Sequence, residues 1–388
     1  MRLIPALILV FVLLLLISRA FYSRQKGKMQ IEMQLMFIFS MPLLGYLLGP
    51  GGFGIFDVES QVQIHPVVHL SLGWLGLYSG LFLGWQDIRR YTRAVLLFSL
   101  QEGLFTFSMI TIVVLALLSA FGLNFFDALL GSLALGIAGT ELSPMALTLL
   151  RNRFRDKSSF GFLVQSLAAM SGIISILLLG IVSPILSAES IFHYLLLLLF
   201  ELLLGIILGL ITVYVIHTIR HSQEFLIWLI AMLFISSGIA FYLRFNAIFM
   251  NFVLGSMIAT FSMRRSAARR ILEPLEEPAY FFLLLFAGLS LQVSWLYLFV
   301  GAAAFFGHFI SKDISYKIYF GKDVIGSQTA NYLKPAKFAL GNLSIAVGIN
   351  LLMLTESLMA RQILGALTVQ YVVSYLLFWF AARRIKAE

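Results

Sequence analysis

The sequence predicts an all-α membrane protein with an inverted-repeat architecture, on three observations. Of the 388 residues, 60% are hydrophobic and 12% charged, about half the charge of an ordinary soluble domain. The apolar residues fall into about thirteen blocks, many of bilayer-spanning length. The basic residues sit in alternate gaps between those blocks. All of the 27 Lys and Arg residues follow this rule except Arg2, Arg244 and Arg361.

The blocks run approximately 3–18, 33–48, 65–83, 94–121, 128–150, 160–186, 191–216, 225–242, 247–261, 279–291, 295–310, 336–354 and 363–381. A backbone in lipid must satisfy its own hydrogen bonds, so each block is expected to be a helix. The first block could be a signal peptide, but Arg19 stands inside the would-be cleavage site and Arg24, Lys26 and Lys28 follow. That flank favours an uncleaved helix. Basic loops are retained in the cytoplasm. The gaps holding Arg89, Arg90 and Arg93, then Arg151 to Lys157, then Arg220, Arg264 to Arg270 and Lys312 to Lys337 are therefore placed inside. This puts the N-terminus outside and the C-terminus inside a bacterial-type inner membrane. The net charge of +9 reflects that bias. It is spread over short gaps, so nucleic acid is not expected as a partner; the lipid bilayer is.

With no Cys in the chain, disulfides, thiolate metal sites and Cys nucleophiles are excluded. The Gly49–Gly54 run lacks the Lys-Ser/Thr of a phosphate loop, and neither a zinc-protease motif nor a nucleophile constellation is present. Neither an enzyme nor a cofactor is expected. His65 and His69 would share a helix face, as metal ligands can, but Pro66 and the missing third ligand favour two interfacial histidines.

Thirteen spans suit two inverted repeats of five or six helices, with a substrate site where paired helices are broken at the midplane. Two spans carry suitable interruptions. The fifth contains Gly136-Ile137-Ala138-Gly139-Thr140-Glu141-Leu142-Ser143-Pro144, and the twelfth Phe338-Ala339-Leu340-Gly341-Asn342-Leu343-Ser344. Pro144 has no N–H and clashes with the carbonyl four residues earlier, so the fifth helix is expected to break there. Gly341 is the corresponding break in the twelfth.

From about residue 35 onward the chain resembles the monovalent cation:proton antiporter superfamily, the Kef-type and sodium/proton exchanger proteins. Leu47-Leu48-Gly49-Pro50-Gly51-Gly52-Phe53-Gly54 is similar to the family's L-L-G-P-x-x-L-G. Leu72-Gly73-Trp74-Leu75-Gly76-Leu77 resembles its L-G-x-x-x-L segment. Leu149-Leu150-Arg151 matches its L-L-R/K, and Phe281-Phe282 through Gly288-Leu289-Ser290-Leu291 its F-F-x-x-x-G-L-x-L. Each motif is small and apolar; their order and spacing carry the likeness. The resemblance implies two interrupted helices crossing at an ion site and an alternating-access exchange of Na⁺ or K⁺ for protons. It further implies core helices over about 92–187 and 294–384, a dimerising scaffold over about 1–85 and 223–292, a linking helix over about 191–217, and a homodimer.

The resemblance also exposes a departure. Ser171-Gly172 stand where the family carries its acidic residue or pair on the sixth helix. Ser offers oxygen ligands but no group that titrates near neutral pH. The fifth-helix polar stretch maps to Glu141-Leu142-Ser143-Pro144, the twelfth-helix stretch to Ala339-Leu340-Gly341-Asn342, and the eleventh-helix basic residue to His308, followed by Lys312.

Glu141 is the leading replacement acid, because an acid within a span is a functional candidate by default. Its alternative is to face an aqueous funnel or to pair with a base without moving ions. Glu102 is a second candidate, against a partnered helix–helix contact. Glu201 is expected to be paired. His308 is a switch or an interfacial histidine, and Lys312 is expected to snorkel to the inner surface. Three functions follow: cation:proton antiport through Glu141, a non-transporting subunit or sensor, and transport of another small solute.

Overall fold

The computed structural model of the chain describes residues 29–89, 91, 93–143, 146, 159–186, 188, 190–219, 221–292, 294–320 and 336–384. The first expected span and Pro144 lie outside the described residues. Among those residues the chain is helical, with twelve long helices. They are α1 (Met29–Leu48), α2 (Val58–Gly80), α4 (Arg93–Ala120), α5 (Phe125–Thr140), α6 (Ser159–Val182), α7 (Ile191–Thr218) and α8 (Ser222–Leu243), then α9 (Ala247–Phe261), α10 (Arg265–Leu289), α11 (Trp295–Phe320), α12 (Leu343–Thr355) and α13 (Leu358–Arg384). A four-residue helix, α3 (Trp85–Ile88), joins α2 to α4.

Among the described residues, α4, α6, α7, α8, α11 and α13 are long and apolar enough to cross a membrane by length and composition. Shorter apolar helices occupy Phe37–Leu48, Phe125–Thr140, Ala247–Phe261 and Leu343–Thr355. Of the boundaries that differ from the apolar pattern, the two largest extensions have one reason. α10 begins at Arg265 rather than residue 279, passing through Pro274 and Pro278 without ending, and α11 continues past residue 310 to Phe320. Each extension mixes charged with apolar residues, so one helical face buries while average hydropathy falls. In α10 that face is Ala268 and Leu272, both fully buried.

Local chemistry sets several ends. Asp57 caps α2 by accepting the Ser60 N–H at 2.8 Å. Asn246 caps α9 by accepting the N–H groups of Ile248 and Phe249 at 3.1 Å each. A side-chain oxygen in this position satisfies amides that the helix itself leaves open.

The helices pack in two groups. In the first, α1 lies along α10 and α2 along α9. Both seams are glycine-on-glycine. A Cβ on Gly45 would overlap the Leu285 carbonyl, and one on Gly288 the Pro42 carbonyl. Across the other seam, a Cβ on Gly80 would overlap the Phe252 carbonyl and one on Gly255 the Leu77 carbonyl. Small residues let membrane helices approach this closely. Exchanging α1 with α9 and α2 with α10 maps one seam onto the other, the relation that inverted repeats require.

In the second group α4 packs on α5 and α11, α11 on α13, and α12 on α5 and α13. The groups touch each other more sparsely than either touches itself. α7 packs along α9, less closely on α8, and touches the turn that follows α6.

Candidate functional site

The second group is built around two broken helices. α5 stops at Thr140, and Glu141 is extended, with φ −74° and ψ 135°. The twelfth span makes a single 3-10 turn at Ala336–Phe338, unwinds, and resumes as α12 at Leu343. The unwound strands cross antiparallel: Leu142 bridges Leu340, and the Ser143 N–H donates to the Ala339 carbonyl at 3.3 Å. The C-terminal end of α5 and the N-terminal start of α12 therefore meet inside the bundle.

A helix leaves its last four carbonyls without intrahelical partners. In α5 each of those four is taken by a side chain. Ser175 of α6 donates to Ile137 at 3.2 Å and Ser344 of α12 to Ala138 at 2.7 Å. The His308 Nδ1 of α11 bonds Gly139 at 2.8 Å, and the Lys312 Nζ donates to Thr140 at 2.8 Å. A carbonyl partner requires the Nδ1–H tautomer of His308. Lys312 brings a positive charge to the negative end of the α5 dipole. It also forms an ion pair with Glu102 of α4. Both side chains are enclosed, with Lys312 at 0% and Glu102 at 1% exposure. The expected snorkelling of Lys312 is thus replaced by an internal pair: α11 turns its face inward at this level, and Glu102 compensates the charge. The partnered-contact alternative for Glu102 describes its place.

Glu141 completes the opposite end. Its Oε2 accepts the Leu343 N–H, the first amide of α12, at 2.7 Å. A carboxylate there complements the positive helix start. Glu141 is 3% exposed. Gly341 makes room for it, since a Cβ at that position would overlap the Glu141 carboxyl group. Gly172 lies on its other side; a Cβ there would stand 3.7 Å from Glu141 Oε1, an ordinary contact. Beside it the Ser171 Oγ accepts the Leu142 N–H at 3.0 Å and donates to Ala168. Ser171-Gly172 therefore line the crossing without supplying charge.

The remaining sequence candidates cluster here too. Ser143 Oγ is 2.6 Å from the Tyr375 hydroxyl and accepts the Ala146 N–H at 3.1 Å. The Tyr371 hydroxyl donates to Asn342 Oδ1 at 3.5 Å, and Ser374 Oγ accepts the Leu340 N–H at 3.4 Å. Sequence reasoning missed Ser175, Ser344, Tyr371, Ser374 and Tyr375. Ser344 stood within the interrupted segment, but the others are single polar residues in apolar helices. Nothing local distinguishes them from packing residues.

His65 and His69 lie apart from this centre. Their rings pack edge-on against Phe286 and Phe241, and His69 Nδ1 bonds the His65 carbonyl at 3.0 Å. Among the described residues no group of three or more His, Asp and Glu is placed to hold a metal ion.

No protein-family model and no curated protein matches the chain. Solved structures do match. The sodium proton antiporter MjNhaP1 from Methanocaldococcus jannaschii at pH 8 is similar with a TM-score of 0.66 and 14% identity, covering 98% of this chain and 97% of that one. A second structure of that antiporter, from an EM map, gives a TM-score of 0.62 at 14% identity, over 98% and 95% of the two chains. Built of helices among its described residues, several long and apolar enough to cross a membrane, this chain shares the fold of that sodium proton antiporter over nearly its full length.

Proposed function

We propose that the chain exchanges a monovalent cation, Na⁺ or K⁺, for protons by alternating access, with the carrier carboxylate moved from the sixth helix to Glu141. The observation that carries this is the position of the Glu141 carboxylate. It lies at the crossing, one oxygen held by the start of α12 and the other toward Gly172, the position where the resembling family has its acid. The longer Glu side chain, projecting from the break, fills the space that Ser171-Gly172 leave. Lys312 is ion-paired with Glu102, and Glu141 has no direct ion pair among the described residues. A single carboxylate that binds either a cation or a proton exchanges one for the other without net charge movement.

The sparse contact between helix groups supports a core (about 92–187 and 294–384) moving against a scaffold (about 1–85 and 223–292), with 191–217 linking them. The scaffold forms a homodimer, and the basic gaps face the cytoplasm of a bacterial-type inner membrane. Purified protein in sealed proteoliposomes with a pH-sensitive dye tests the reaction. Pulses of Na⁺, K⁺ and Li⁺ are expected to move protons in the parent and not in Glu141→Gln. The amide keeps an oxygen for the Leu343 N–H but takes up neither proton nor cation charge. Unchanged flux in the mutant would exclude Glu141 as carrier. Absence of flux in both proteins would favour a non-transporting subunit or another solute, the alternatives that the missing α6 carboxylate motivates.

A further inference from the structure

At the end of the bundle away from the basic gaps lies a cavity of about 490 Å³, lined in part by Ser183, His193, Glu201, Arg244 and Thr355. Its size falls within the ordinary range for small-ligand sites. Glu201 sits ten residues into α7, about 15 Å below the helix start at 1.5 Å per residue. It is 3% exposed. Its Oε1 accepts the Asn246 N–H at the start of α9 at 3.0 Å, and Asn246 Nδ2 donates to Ser183 Oγ at 3.0 Å. Oε2 has no hydrogen-bond partner among the described residues. The basic residue at the cavity mouth, Arg244, is directed to Glu356 at 3.8 Å, and both side chains are largely solvent-exposed.

This arrangement exceeds what a helix cap needs. One carboxylate oxygen satisfies the backbone, and the positive start of α9 favours the ionised form. Glu201 lines the cavity, and its second oxygen is buried without a hydrogen-bond partner among the described residues, where an unpaired charge is costly.

A further feature points inward from the same wall. Ser183 also lines a second, narrow void of about 20 Å³ between α5, α6 and α12, in which Asn350 is the other polar side chain and the rest, Ile137 included, are apolar. That volume holds about one water molecule. Among the described residues, both polar atoms of the Asn350 side chain lack partners. Ile137 is in the last turn of α5, and its carbonyl receives Ser175, one turn before Glu141.

We propose that this cavity is a second, outer binding site for a small monovalent cation, with Glu201 Oε2 as its carboxylate ligand and Ser183 and Asn350 leading from it toward the crossing. The site rests on the antiport proposal only for its part in supplying Glu141; cation binding at Glu201 stands without it.

The test is labelling of the purified protein with diisopropylcarbodiimide, which reacts with protonated carboxyl groups, read at Glu201 by peptide mass spectrometry. Li⁺ or Na⁺ at ten times its dissociation constant leaves about one site in eleven free, so labelling at Glu201 is expected to slow about tenfold. Choline at equal ionic strength is expected to leave the rate unchanged. The same protection is expected in Glu141→Gln, where flux is absent. Glu201→Gln, which keeps an oxygen for the Asn246 N–H, is expected to retain its gel-filtration profile and lose the label. Labelling that ignores Li⁺ and Na⁺, slows equally with choline, or never occurs at Glu201 overturns the proposal. Protection without flux in the parent would reject antiport and keep this site. Flux without protection would reject this site and keep antiport.

Discussion

The glycine seams and the helix crossing are both places where chain meets chain at close range, but opposite chemistry holds them. In the seams, backbone packs on backbone through Gly45, Gly288, Gly80 and Gly255. At the crossing two helices are interrupted, and side chains from α4, α6, α11 and α12 restore what the interruptions leave open. Tight apolar seams make rigid bodies. A broken pair places backbone dipoles and a carboxylate at one point, an arrangement suited to holding an ion. The first region suits a scaffold and the second a binding centre.

Mutations at the two regions should therefore fail differently. The largest loss is expected for Lys312→Met. It leaves Glu102 buried without its cation and Thr140 without its cap, a cost of about 3–5 kcal/mol. Detergent melting curves should show a strongly lowered midpoint, largely recovered when Glu102→Leu is added. A single mutant that melts like the parent would show that the pair does not hold the crossing.

Gly288→Val comes next, because its Cβ meets the rigid Pro42 carbonyl rather than a flexible side chain. The expected cost is about 1–3 kcal/mol. Protein that survives should keep its sensitivity to Glu141 substitution, since the seam does not touch the carboxylate.

Gly341→Ala reverses that signature. The added methyl collides with the Glu141 carboxyl, which can swing aside, so the melt should shift little while proton-coupled flux collapses. Equal loss of flux and stability would instead make Gly341 a packing residue.

The smallest effect belongs to Ser344→Ala. It removes one bond of 2.7 Å to the Ala138 carbonyl, and hydrogen bonds between membrane helices average about 0.6 kcal/mol. A loss several times larger would mean that the caps of α5 act as one unit, which a double mutant with Ser175→Ala would reveal as non-additivity.

Much of this fold was legible along the chain. Apolar blocks, flanking charges and breaking residues are local properties, and Ala247–Phe261 begins and ends where the apolar pattern does. The Gly and polar residues around Glu141 and Gly341 marked both interruptions. The pattern erred where helices leave the apolar layer, as in the first half of α10 and the last turns of α11. There amphipathic burial replaces hydropathy.

The partners at the crossing were not legible. Lys312 and Thr140 are 172 residues apart, Ser344 and Ala138 206, and Glu141 and Leu343 202. From the sequence alone Lys312 is a basic residue near a membrane surface and Glu102 an isolated acid. Only packing of α4 against α11 joins them. Glu201 shows the same division. Its depth in an apolar helix could be read directly, whereas the cavity and its half-satisfied carboxylate depend on where α9 begins beside it.

The sequence by itself determined which segments are helical and apolar, and where two of them break. Tertiary structure decided which charges are compensated and which carboxylate oxygens remain available. The physical reason is range. Hydropathy, glycine and proline act within a few residues, while neutralising a buried charge or an open helix end requires a group that the fold alone brings into contact.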